Sequence, residues 1–148
     1  MPLKNAFVLD TSALLALRSD EPGADRVETL LSQAKKSQCR LFVSFMTRME
    51  LLYCVWREEG EEAAREALRL IDSFTIEWVT CEPGILEAAS RLKAQAGFSV
   101  ADSWISATAI VREATLVHKD PEFMKFKEIR QEVLRRQKKG PENSGAKS

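Results

Sequence analysis

The stretch Phe7-Val8-Leu9-Asp10-Thr11-Ser12 limits what this chain can fold into more than any other. Three apolar residues run into an acid, and two hydroxyls follow. Phe7 to Leu9 read as a fully buried strand, and from Thr11 the apolar spacing turns helical. An acid at the carboxyl end of a first buried strand sits where open α/β sheets place their ligands. Three further acids, Glu50, Asp102 and Asp120, recur at comparable junctions later in the chain.

The 148 residues suffice for one domain with a real core. No apolar run approaches the roughly 18 residues of a membrane span. Lys4 and Asn5 precede only a short strand, so neither a signal peptide nor membrane insertion is expected, and the expected location is the cytoplasm. Cys39, Cys54 and Cys81 have no metal or redox spacing and read as reduced, mostly buried thiols. Formal net charge is zero but uneven. Residues 125–148 carry eight Lys or Arg against three acids, a surplus of +5 that leaves −5 for the rest. We therefore expect a single domain over 1–134 and a basic, disordered tail over 135–148, either solubilising or facing a polyanion.

The remaining pattern alternates strands and helices. Helical spacing is expected over Thr11–Ser19, and Pro22 suits the first position of a second helix. Arg40–Phe45 read as a strand, Thr47–Glu59 as an apolar helix ended by Gly60, and Ala63–Ile71 as another helix. Thr75–Thr80 alternate as a strand should. Pro83 opens a helix that Gly97 stops. Val100–Val111 form a helix rich in small residues, and Thr115–His118 a strand. Ile129–Leu134 fit an edge strand or a helix equally well. Strands separated by helical segments imply a three-layer α/β sandwich, with a central parallel sheet of four or five strands. In that fold Asp10, Glu50, Asp102 and Asp120 all reach one sheet edge.

Each acid also has a bland explanation. Glu50 follows Thr47 by three residues and Asp102 follows Ser99 by three, which matches helix capping boxes. Asp10 can cap its own helix, and Asp120 before proline suits a turn. Two features weigh on the other side. Met46, Met49, Tyr53 and Cys54 surround Glu50 at helical spacing, so it is expected to project from an apolar face. Val100, Trp104, Ile105 and Ala109 surround Asp102 in the same way. Inward carboxylates are costly unless paired or metal-bound, and a hard divalent cation relieves their repulsion.

The set Val8-Leu9-Asp10-Thr11-Ser12, Ser44-x-x-Thr47-x-x-Glu50-Leu51, Ala101-Asp102-x-x-Ile105-x-Ala107 and Val117-His118-Lys119-Asp120-Pro121-Glu122-Phe123 resembles a PIN domain. In size and layout it is most similar to the VapC-type toxins of prokaryotic toxin–antitoxin pairs, over roughly residues 6–126. The resemblance implies a Mg²⁺- or Mn²⁺-dependent endoribonuclease, usually a homodimer, held inactive by a small antitoxin. Carried over by position, Asp10, Glu50, Asp102 and Asp120 form the acidic quartet that holds the metal, with Thr11 or Ser12 as the nearby hydroxyl. Many relatives place Thr or Ser where this chain has His118, which puts a contact behind the quartet in question. His118, the only histidine, is read as structural or phosphate-contacting rather than as a general base. A metal site can generate hydroxide without it.

Arg48, Lys93, Arg112 and Lys119 lie near the expected site elements and are candidates for phosphate contact, with a solvated surface charge as the default for each. Trp56 and Trp104 read as core or dimer interface. Two other functions remain. One is a catalytically silent PIN-like RNA-binding module, which need not keep all four acids. The other is a phosphoaspartyl protein, disfavoured because Ser12 stands where a haloacid-dehalogenase phosphatase needs an acid, and because Thr75–Thr80 lead to no receiver-type aspartate.

Overall fold

Apolar residues alternate between two cores along every central strand, which is why those strands read as unbroken hydrophobic runs. The computed structural model describes residues 5–135. Leu9, Leu41, Val43 and Val117 face one core, while Val8, Phe42 and Leu116 face the other. The strands are β1 (Ala6–Leu9), β2 (Arg40–Ser44), β3 (Glu77–Val79), β4 (Thr115–His118) and β5 (Gln131–Val133). They form one five-stranded sheet in the order β3-β2-β1-β4-β5, and every pairing is parallel.

Helices cover both faces. On one lie α1 (Thr11–Arg18), α2 (Ala24–Lys35), α3 (Phe45–Glu59) and α4 (Glu61–Asp72). On the other lie α5 (Pro83–Ala96) and α6 (Val100–Val111). Core residues such as Leu14, Leu30, Phe42, Leu92 and Ile105 are fully buried. Each contributes about 1.5–3 kcal/mol of hydrophobic stabilisation. This is the three-layer α/β architecture expected. From β1 the chain crosses to β2 on one side, and β4 later returns on the other, so the reversal point falls beside Asp10.

Several boundaries differ from expectation. Helix α2 begins at Ala24, not at Pro22; Gly23 caps it with φ 99°. Strand β2 ends at Ser44, whose hydroxyl accepts from Met46 N–H, so α3 starts at Phe45 and Thr47 is not its cap. Strand β3 shrinks to three residues at the sheet edge. The undecided segment 129–134 resolves as strand β5, parallel to β4. Cys39 is buried, but Cys54 is only partly so and Cys81 is exposed; none is paired. Among the described residues no helix is long and apolar enough to cross a membrane. Except for Arg135, the expected basic tail lies outside the described residues.

Candidate active site

The carboxyl ends of β1 and β4 are locked together before any side chain acts. Asp10 N–H donates to Val117 O at 3.0 Å, extending the ladder one residue past the β1 strand. Asp10 is then both the N-cap of α1 and a buried acid, only 4% exposed. Its Oδ2 accepts from Ser12 N–H at 3.1 Å and from the Ser12 hydroxyl. Asp120 follows β4 and caps a short 3-10 helix, Pro121–Lys125, with Oδ1 accepting from Glu122 N–H at 3.0 Å. Capping is thus true of both aspartates, and it leaves each at the sheet edge.

Glu50 and Asp102 approach from opposite layers. Glu50 lies in the second turn of α3, where Thr11 Oγ1 donates to its Oε1 at 2.7 Å. Thr47 takes part in the same contact, 3.2 Å from Thr11 Oγ1, and does not form a capping box with Glu50. The flanking Met49 and Tyr53 are 57% and 41% exposed, so this face of α3 meets solvent instead of an apolar interior. Asp102 occupies the first turn of α6, and its N–H donates to the Ser99 hydroxyl at 3.1 Å, which is half of the expected capping box. Below it, residues 105–109 of α6 are buried, as its small-residue sequence requires.

These acids share one electrostatic environment. Asp10 is pushed up to about 7, first by burial; the Ser12 hydrogen bonds oppose this, and the charges of Asp102 and Glu50 add to it. Asp102 is pushed up to about 6 by burial, then by Asp120 and Glu50, with Ser99 opposing and Glu122 adding a little. Among the described residues no Lys or Arg forms an ion pair with any of the four. Nor do any three His, Cys, Asp or Glu side chains there stand close enough to enclose an ion without adjustment. The four are within electrostatic reach but not in coordinating contact.

The PIN domain family matches residues 7–129, most of the chain. The chain belongs to the PIN domain family. Its fold is similar to that of VapBC2 from Rickettsia felis, solved bound to a DNA fragment from its promoter. That likeness has TM-score 0.72 and 19% identity, over 88% of this chain and 99% of that one. VapBC-1 from nontypeable Haemophilus influenzae gives TM-score 0.67 and 24% identity over 86% and 97%. VapC20 from Mycobacterium tuberculosis, described as a sarcin–ricin loop cleaving toxin, gives 0.62 and 19% over 84% and 98%. No curated protein sequence matches.

In this PIN domain the expected phosphate-binding cations are placed differently from the acids. Arg48 makes a two-pronged pair with Asp72 and stacks over Trp78. Arg112 pairs in the same way with Glu82. Lys119 turns back to Pro22 O at 2.9 Å and Glu21 Oε1 at 3.4 Å. Of these four only Lys93 is exposed, lining an apolar groove of about 340 Å³ together with Ala89, Val100 and Trp104. His118 is fully buried and its Nδ1 accepts from Asp120 N–H at 3.0 Å, which favours the structural alternative over phosphate contact. Sequence reasoning missed Gln131, whose side chain meets His118 across 13 residues, and Glu122, whose charge reaches Asp102. Only the strand pattern hinted at the first.

Proposed function

We propose that this PIN domain is a metal-dependent endoribonuclease and the toxin component of a toxin–antitoxin module. The observation that carries the reading is the set of four carboxylates at one sheet edge, with two raised in pKa and, among the described residues, none paired to a cation. The donor set is hard oxygen with excess negative charge, which suits Mg²⁺ or Mn²⁺. Asp10 and Asp102 would hold the ion directly, with Glu50 and Asp120 binding directly or through water. Bound there, a divalent ion supplies an acidified water and charge neutralisation at the scissile phosphate.

The chain's own groups prepare that chemistry. Ser12 orients the Asp10 carboxylate, and Thr11 holds Glu50. Burial keeps water from screening Asp10, so its charge acts at full strength once a cation is present. RNA is the proposed substrate, in keeping with the family and with the toxin activity described for VapC20. A small antitoxin is the proposed partner, because structural neighbours were solved as VapBC assemblies. A homodimer and a cytoplasmic location complete the proposal.

A catalytically silent RNA-binding module is the second reading. Among the described residues no three of the acids already stand together as an ion site, which is compatible with it. One experiment separates the two. Purified, partner-free protein is incubated with a mixed RNA pool in Mg²⁺, in Mn²⁺ and in EDTA, beside Asp102→Asn. Cleavage that needs metal and vanishes in the variant is the expected result. Tight metal-independent RNA binding without cleavage would support the silent module.

A further inference from the structure

We propose that Gln131, acting through His118, is a positioning residue for Asp120. The inference rests on Asp120 being one of the site carboxylates. Asp120 N–H donates to His118 Nδ1 at 3.0 Å. A ring nitrogen that accepts carries no proton, so in the neutral ring the proton sits on Nε2. That nitrogen faces Gln131 Oε1 at 2.9 Å. The amide cannot be turned over without loss, because Gln131 Nε2 donates to Phe123 O and Phe126 O, both at 2.9 Å.

One side chain on β5 therefore grips Asp120 from both sides. Through its oxygen it sets the ring that accepts the Asp120 amide. Through its nitrogen it holds the 3-10 helix whose Glu122 N–H fixes the Asp120 carboxylate. The Phe123 ring packs against the fully buried His118 ring, tilted by 56° with centroids 4.9 Å apart. On the opposite flank, Ser12 Oγ accepts Lys119 N–H at 2.9 Å. The segment that carries Asp120 is thus held by two devices, one from the start of α1 and one from β5. Gln131 supplies the second from a strand that carries no acid of the quartet.

The chemistry calls for glutamine at this place. Glutamate would set acceptors against the two carbonyls, and leucine would take away what Gln131 gives to the ring nitrogen and to both carbonyls, leaving Phe123 O to the Phe126 N–H. Residues that orient metal ligands from behind typically cost 10–100-fold in metal affinity when removed, roughly. Gln131→Leu should therefore weaken metal binding while the fold persists.

The test is Mn²⁺ titration calorimetry on the full chain for wild type, Asp120→Asn, Gln131→Leu and the double variant. Val133→Ala, an exposed β5 change, serves as control. Gln131→Leu is expected to weaken Mn²⁺ binding about tenfold or more. It should add nothing in the Asp120→Asn background, and Val133→Ala should leave binding unchanged. Effects of Gln131→Leu and Asp120→Asn that add, or an equal loss in Val133→Ala, would overturn the proposal. A weakened Asp120→Asn beside an unaffected Gln131→Leu would overturn it alone. An unaffected Asp120→Asn would remove Asp120 from the site and take down the underlying reading as well. Should Gln131→Leu fail to fold, nitrogen NMR of metal-free wild type decides. Protonated Nε2, bare Nδ1 and a slowly exchanging Asp120 amide are expected, and a proton on Nδ1 or rapid exchange would overturn the proposal.

Discussion

The hydroxyl of Ser12 donates to Asp10 Oδ2 while accepting the backbone N–H of Lys119, so one side chain bridges the ends of β1 and β4. Ser12→Ala removes both bonds. It takes away a contact that holds the Asp10 pKa down, so that carboxyl should become still harder to ionise. The cost is expected at about 1–3 kcal/mol, since the Lys119 amide is left without this acceptor. Chemical denaturation of wild type and Ser12→Ala checks the magnitude, and a lower Mn²⁺ affinity at pH 7 checks the link to Asp10.

The raised carboxyls give stability an unusual pH dependence in metal-free protein. Folded Asp10 holds its proton up to about pH 7, whereas the unfolded chain releases it near 3.8. Between those values the folded state binds more protons, so stability falls as pH rises, and above about 7 the loss is complete. Asp102, raised to about 6, acts in the same direction. Glu59, Asp72, Glu77 and Glu82 are lowered by their arginine partners, so they add stability with rising pH, but at the acid end. Unfolding midpoints in EDTA should therefore decline between about pH 5 and 7. Asp10→Asn should flatten that decline, and Mg²⁺ should abolish it. A midpoint that rises across this window would contradict the burial of Asp10.

Gly23 predicts a different kind of sensitivity. Its φ is +99°, and an added Cβ would stand 2.9 Å from Leu134 Cβ. Backbone strain and a clash with a buried neighbour combine, so Gly23→Ala should cost about 1–3 kcal/mol. Gly84 is the internal control: it lies in α5 with nothing within 4 Å of an added Cβ. Gly84→Ala should be neutral or stabilise by up to about 1 kcal/mol, because alanine is the better helix former. Thermal melts should show a lowered midpoint for Gly23→Ala and an unchanged or raised one for Gly84→Ala.

The same turn shows where the sequence stopped being legible. Pro22-Gly23 looks like a helix start, and the pattern alone offers no reason to prefer Ala24. The reason is tertiary: Pro22 O receives the Lys119 ammonium, and Gly23 lets the chain pass against Leu134. The start of α3 is a similar case: the sequence reading puts it at Thr47, whereas the structure caps it with Ser44. Ser44 wins because β2 ends there, and Thr47 is instead drawn into contact with Thr11. The parallel sheet was readable because helical segments separate its strands and burial on both faces makes the central ones apolar throughout, whereas the strand order came only from the structure. The acids were readable because they stand at strand ends and helix starts. Gln131 was not, because its meaning depends on a ring that comes beside it only after β4 and β5 pair. Arg48 and Lys119 carried charge in the right region, but sequence gave no sign of the acids that engage them.

Thr11 joins two helices to the site through one oxygen. Its hydroxyl donates to Glu50 Oε1 at 2.7 Å, which leaves the contact with Thr47 Oγ1 to be donated from the Thr47 side. Thr11→Val keeps the shape and removes the tether. A hydrogen bond to a charged group is worth about 1.5–3 kcal/mol net, so stability should fall by about that amount at pH 7. Freed from Thr11, Glu50 can swing towards the exposed side of α3, where Met49 and Tyr53 leave room at the surface. RNA cleavage should then fall in kcat more than it changes in KM, because the lost contact orients a carboxylate and touches no substrate. Thr11→Ser retains the donor and should recover most of the rate. If Thr11→Val and Thr11→Ser cleave alike, the hydroxyl is not what holds Glu50 in place.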